Sequence, residues 1–207
     1  MRYYYHPVSS NCRKCTAVLD LLGVTAERLV VDLPGGEQLR PDFLAINPNG
    51  KVPALVDGGR AIWESNAIII YLAEREDSDL WPAGERRLDI LKWMFWEQGH
   101  LMTAAGVPFF QRVLKPTLGL GAPDEQRVTE ALASFRRLAK VLDGHFAGHA
   151  FLVGDGLTLA DLAVAGNFSY ADPGGLPVGE FANLTRWLGE LDRIPAWRDN
   201  APPTFGG

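Results

Sequence analysis

Residues 47–73 read NPNGKVPALVDGGRAIWESNAIIIYLA, and the rest of the chain is best read outward from them. Asn47-Pro48-Asn49-Gly50 predicts a turn, because proline fixes φ while Asn and Gly tolerate φ > 0. Pro53-Ala54-Leu55-Val56 predicts a short strand, with proline admissible as its first residue. Asp57-Gly58-Gly59 turns the chain back into a second apolar run, Ala61-Ile62-Trp63, so the pair forms a β-hairpin. Glu64-Ser65 leads into a helix over Asn66–Ala73, apolar nearly all round, with Ser65 placed as its N-cap. A helix N-terminus with free N–H groups and a serine hydroxyl binds a carboxylate, and Glu64 beside it can hold an ammonium group. Both charges belong to an α-amino acid end. A cis Val52-Pro53 bond would leave the Val52 N–H and C=O beside them, ready to pair with a peptide ligand as a sheet edge does.

Upstream, Tyr3-Tyr4-Tyr5 predicts a strand ended by Pro7. Asn11–Leu22 follows as a helix, with Cys15, Val18, Leu19 and Leu22 on one face. Ala26–Val31 predicts a second strand and Gln38–Ala45 a short or irregular helix. The order β-α-β-α-β-β-α, closing near residue 76, is a thioredoxin-like pattern with a mixed four-stranded sheet and a right-handed crossover. Polar residues from Glu76 to Gly84 mark the boundary. The expected organisation is a thioredoxin-like α/β domain at 1–76, a linker at 77–84 and an all-α helical-bundle domain at 85–207. In the latter, Glu85–Lys115 forms one long helical pattern that Pro108 should kink. Asp124–Phe146 is a second amphipathic helix. Thr158 and Asp161 form a capping box with Leu157 and Leu162 as a hydrophobic staple. Phe181–Leu191 and Pro195–Asp199 finish the helices, and 201–207 should fray.

Composition narrows the functional classes. The chain has 207 residues, 47% hydrophobic and 22% charged, with a net charge of −5, ordinary for a soluble globular protein. No basic surface suits nucleic acid, and the opening MRYYYHPVSS lacks the apolar core of a signal peptide. The longest clean apolar run, Ala67–Ala73, is far short of the ~18 residues that suggest a membrane span. Two cysteines three residues apart cannot staple a fold of this size, so a cytoplasmic home is expected. Neither nucleic acid, membrane nor metal is expected as a partner.

Asn-Pro-Asn-Gly-Lys-Val-Pro-Ala-Leu followed by Glu-Ser resembles the glutathione site of the cytosolic glutathione transferases, in which the proline is cis and Glu-Ser holds the γ-glutamyl end. Gly154-Asp155-Gly156-Leu157-Thr158-Leu159-Ala160-Asp161 resembles the start of the buried helix in their helical domain. The two motifs extend the resemblance over nearly the whole chain. It implies a homodimeric transferase that conjugates the glutathione thiolate to small hydrophobic electrophiles, with glutathione as co-substrate. Carried over onto this chain, Val52, Pro53, Glu64 and Ser65 bind the tripeptide, Lys51 pairs with its glycyl carboxylate, and Gln38 stands where theta and phi enzymes have a His.

The thiolate needs a donor. A free thiol titrates near ~8.5, and one hydroxyl at the start of the first helix can lower that. Ser9-Ser10-Asn11-Cys12-Arg13 resembles the serine-type enzymes of the theta and phi kind, which makes Ser9 the first choice within a bacterial-looking serine type. Ser10 competes, because beta-type enzymes place their active Cys about one position later than Ser9. Tyr5 is the third candidate, by resemblance to the tyrosine of pi-type enzymes, though packing explains it as well.

Two rival readings stay open. Cys12-Arg13-Lys14-Cys15 spells CxxC, which would suit a glutathione-dependent peroxidase or a thiol-disulfide reductase acting through Cys12. A non-catalytic glutathione-binding module is the other. Trp93, Trp96, His100, Thr103 and Ala104 recur at helical spacing as core and as a wall for the second substrate, and His100 is expected to pair with Glu97 at i, i+3.

Overall fold

A computed structural model of the chain describes residues 1–203; the part of the expected frayed tail at 204–207 lies outside the described residues. The described chain forms two compact units, Met1–Trp81 with Ile194–Pro203, and Pro82–Arg193.

The first unit runs β1 (Arg2–Tyr5), α1 (Ser10–Leu21), β2 (Glu27–Val30), a 3-10 turn (Glu37–Leu39), α2 (Pro41–Leu44), β3 (Ala54–Asp57), β4 (Arg60–Trp63) and α3 (Ser65–Arg75). Its four-stranded sheet has the order β2-β1-β3-β4. β1 pairs in parallel with β2, Tyr3 against Arg28, and antiparallel with β3, Tyr3 against Leu55. A parallel pair needs a crossover, and α1 supplies it. This is the thioredoxin-like arrangement that the element order predicts. The β3–β4 hairpin closes through Gly58 and Gly59, both at positive φ (53° and 84°), between the paired Asp57 and Arg60. Two consecutive left-handed residues match the twist of the strands, and glycine takes them at no steric cost.

Burial explains why α1 holds its place. Every side chain from Cys12 to Leu19 is buried, and the helix packs against α3. The buried Tyr3 hydroxyl donates to the Cys12 carbonyl at 2.9 Å, tying the sheet to the first turn of α1. The last helix also packs on α1: the Arg13 guanidinium lies 3.9 Å above the Trp197 ring and donates to the Trp197 carbonyl at 3.1 Å.

In the second unit, α4 (Arg86–Trp96), α5 (Met102–Phe109) and α6 (Lys115–Thr117) follow one another through π turns at Glu97–Leu101 and Phe110–Leu114. The kink expected at Pro108 takes a different form. Pro108 lies inside α5, and the widened turn follows two residues later. α7 (Glu125–Phe146) opens on Asp124, whose carboxylate accepts the Arg127 N–H at 3.1 Å. α8 (Leu159–Gly166) is buried throughout, and α9 (Ala171–Gly174) and α10 (Ala182–Leu191) complete this unit; α11 (Pro195–Arg198) belongs to the first. Among the described residues no helix is long and apolar enough to cross a membrane.

The expected capping box at Thr158 is formed, and its acid does more than cap. Asp161 is fully buried and accepts from Leu152 N–H (2.9 Å), Thr158 N–H (3.0 Å), the Thr158 hydroxyl (3.0 Å) and Trp187 Nε1–H (3.2 Å). Removing it strands four donors in the core, three of them buried N–H groups. Asp161→Ala should therefore lower stability by about 3–5 kcal/mol, the range for breaking a buried charged network. Urea unfolding measures it; an unchanged midpoint would mean that the network does not hold the α8–α10 contact.

Candidate active site

The sheet register decides which loops meet. β1 ends where β3 begins, since Tyr4 pairs with Ala54, and β4 ends beside the same point, since Ala54 pairs with Trp63. Consequently the loop after β1 (6–9), the turn before β3 (47–53) and the start of α3 (64–65) all open at one end of the sheet. Residues 43 to 55 positions apart in sequence become neighbours through backbone pairing alone.

Ser9 is the N-cap of α1, and its hydroxyl oxygen accepts the Cys12 N–H at 3.3 Å. A hydroxyl that accepts in this way keeps its own proton to donate. Ser10 is the first residue of the helix proper and is half-buried. Tyr5 stacks on Tyr3, centroids 5.2 Å apart and planes at 11°, in the packing position foreseen for it.

The Val52–Pro53 bond is cis, as the resemblance implied. Among the described residues, no hydrogen bond involves the Val52 N–H or C=O. Asn47 is buried and braces this turn: its side chain donates to the Lys51 carbonyl at 2.6 Å and accepts the Asn49 N–H at 3.1 Å. The Lys51 side chain is exposed, and the buried Gln38 carboxamide oxygen has no hydrogen-bond partner among the described residues.

At α3 the structure departs from the predicted cap. The helix starts at Ser65, one residue earlier, with Glu64 as N-cap at φ 68°, ψ 115°. A non-glycine residue in that region carries roughly 1–3 kcal/mol of strain, which the surroundings must impose. Ser65 is 4% exposed and does not cap its own helix. Its hydroxyl donates to the Asn11 side chain at 3.2 Å, while the Cys15 thiol donates to the Ser65 carbonyl at 3.5 Å. The buried Lys14 ammonium donates to the Asn66 side chain at 2.7 Å. Thus α1 grips the N-terminus of α3 through the side chains of Asn11, Lys14 and Cys15. Periodicity marks only Cys15, and it gives no sign that Asn11 and Lys14 face another helix.

Cys12 is 1% exposed and Cys15 fully buried, both as free thiols. Burial pushes the Cys12 thiol up to about 11, the Ser9 hydroxyl and the His6 backbone pulling only part of the way back. Burial raises Cys15 further still, against the pull of Lys14. A thiol held that far up stays protonated at neutral pH, which disfavours Cys12 as a nucleophile. The Glu97–His100 pair expected in the helical unit is not formed: the buried Glu97 accepts from the Asn167 side chain at 2.9 Å, and His100 is exposed. Trp93 and Trp96 meet edge to face at 5.4 Å.

A cis-proline sheet edge flanked by two helix N-termini, on a thioredoxin-like unit followed by a helical one, defines a protein that handles a thiol peptide. Residues 8–75 match the glutathione S-transferase N-terminal domain, and residues 99–195 match the glutathione S-transferase C-terminal domain. Glutathione S-transferase 3 of Zea mays is 37% identical over 164 residues, covering 78% of this chain and 73% of that protein. Among solved structures, glutathione S-transferase III in its apo form is 33% identical with a TM-score of 0.86, covering 100% of this chain and 98% of that one. Glutathione S-transferase I from maize, in complex with an atrazine glutathione conjugate, is 27% identical with a TM-score of 0.88, covering 97% and 95%. The chain belongs to the glutathione S-transferase family. It is a transferase that conjugates glutathione, its co-substrate, to electrophiles. Plant enzymes of the phi class are among its relatives, so the family expectation holds at that level and the bacterial subtype does not follow from them.

Burial makes a direct prediction for the two cysteines. A colourless-to-yellow aromatic disulfide reagent at pH 8 should label neither thiol in the native protein within minutes, and both once the chain is unfolded in guanidinium. Rapid native labelling of Cys12 would show that the loop opens far more than its packing allows.

Proposed function

We propose that this transferase is of the serine type, with Ser9 donating the hydrogen bond that holds the glutathione thiolate. The observation that carries the reading is the Ser9 hydroxyl at the N-cap of α1: its oxygen accepts the Cys12 N–H, and among the described residues its proton is given to no oxygen or nitrogen. Lowering a thiol by about two pKa units takes roughly 2.7 kcal/mol. One hydrogen bond to a charged group supplies ~1.5–3 kcal/mol, and a helix N-terminus adds ~0.3–1 kcal/mol. Ser9 is therefore sufficient without a second acid or cation.

In this reading Ser65 and Glu64 bind the γ-glutamyl end at the start of α3, and the open Val52 backbone after the Lys51 turn pairs with the cysteinyl peptide. Lys51, and Gln38 through its carboxamide N–H, would pair with the glycyl carboxylate. The domain division at 1–76, 77–84 and 85–207 remains the working assignment, supported by the two compact units, although the 195–198 helix packs with the first. Homodimerisation is supported by Leu88 and Phe95, one heptad apart on α4 and 73% and 72% exposed. A cytoplasmic location fits two free, buried thiols. The buried Cys12 speaks against the peroxidase and disulfide-reductase readings.

Two substitutions separate binding from chemistry. Ser65→Ala should weaken glutathione binding by roughly 1–3 kcal/mol in calorimetry, and undiminished binding would refute its place in the site. Ser9→Ala should raise the pKa of bound glutathione in thiolate absorbance titrations and cut conjugation of a test electrophile by a factor of tens, with affinity changed much less. If Ser10→Ala produces that shift instead, the register is off by one residue.

A further inference from the structure

The turn that carries Ser9 is fastened twice to one residue. The Ser9 N–H bonds to the His6 carbonyl at 3.0 Å, and the Val8 N–H bonds to the His6 Nδ1 at 3.2 Å. Pro7 has no N–H to offer. The Val8 and Ser9 backbone donors therefore both end on His6, while the His6 N–H serves the Cys12 thiol. A side-chain acceptor bonded to the N–H two residues on is the geometry that Asn and Asp adopt in turns, here supplied by an imidazole.

That bond fixes a protonation state. Nδ1 accepts only as a bare nitrogen, so the ring proton sits on Nε2 and the ring is neutral. Adding a proton at Nδ1 would set a donor against the Val8 N–H and release the turn. The ring borders a small cavity, about 190 Å³, whose wall carries Tyr5 of β1, Cys12 and Arg13 of α1, Arg28 of β2, and Asp199 beyond α11. Arg13 is seated on Trp197, Arg28 on Asp20 and Asp199 on Arg198. Among the described residues no ion pair or hydrogen bond joins His6 to a carboxylate.

We propose that His6 is a positioning residue of the conjugation reaction, its neutral imidazole holding the 6–9 turn so that the Ser9 hydroxyl is aimed at the glutathione sulfur. This rests on the Ser9 reading. Glutathione itself is held elsewhere, at Val52 and Ser65, so loosening the turn affects the thiolate and spares the affinity.

The test compares His6→Leu, His6→Asn and Ser9→Ala in the full chain, each checked for a cooperative melt. His6→Leu should raise the pKa of bound glutathione and lower kcat about tenfold, with the KM for glutathione within about twofold, the loss expected when one bond of a fixed network goes. His6→Asn, whose carboxamide oxygen can take the same Val8 N–H, should recover kcat to within about threefold of the wild type. A wild-type thiol pKa in His6→Leu, or no recovery in His6→Asn, would overturn the proposal. If Ser9→Ala leaves the bound thiol pKa unchanged, the Ser9 reading falls and this inference with it. If Ser9→Ala raises that pKa and His6→Leu does not, the His6 proposal alone is refuted.

Discussion

One backbone pairing governs the glutathione-binding unit: the antiparallel ladder between β3 and β1, with Tyr3 opposite Leu55. Running β3 against β1 brings the start of one strand to the end of the other. It sets the cis Val52–Pro53 edge beside the turn that enters α1. The hairpin then returns β4 to the same end, where α3 begins. Had β3 run parallel to β1, the proline edge would lie at the far end of the sheet from Ser9. The site is thus a consequence of strand direction, and the side chains refine a position that the ladder has already chosen.

What refines it is a set of buried polar contacts between α1 and α3. Ser65 to Asn11 and Lys14 to Asn66 each contribute little net stability, ~0.5–1.5 kcal/mol for an ordinary pair. Their asymmetry matters more, because a lone buried partner is costly and wrong registers of the two helices leave partners alone. Apolar contacts between α1 and α3 would tolerate sliding; these polar ones do not. Glu64, held at φ 68°, shows where that precision is felt in the backbone. The strain sits next to Ser65, which faces Asn11 rather than the first turn of its own helix.

The helical unit uses the same logic in its core. Asp161 accepts from α8's own cap, from the Leu152 backbone and from the indole of Trp187, so a residue that reads as local punctuation also joins elements distant in the chain. Trp187 in turn stacks on Phe146 at 4.6 Å, adding apolar area to the same junction. The α4–α6 path runs through two wider turns, Glu97–Leu101 and Phe110–Leu114, without a break in its helical course.

Much of this was legible in residue order. The β-α-β-α-β-β-α pattern, the Gly58-Gly59 hairpin turn and the Thr158–Asp161 box all follow from local chemistry, because φ > 0, cap acceptors and apolar periodicity are properties of short segments. Element edges shifted by a residue or so, as at Ser65, where the pull of Asn11 outweighed the local preference for a serine cap. The motif residues Ser9, Val52, Pro53, Glu64 and Ser65 could be named in advance, and their convergence could be argued only from a topology assumed. Sequence alone left Cys12 open as a redox centre, and burial to 1% exposure with its thiol raised to about 11 decided against it. It gave no sign that His6 would accept the Val8 N–H, or that Lys14 would reach Asn66 across 52 residues. Spacing along a chain records what a segment can do by itself; desolvation and long-range pairing depend on which other segment covers it, and that exists only once the sheet and helices have packed.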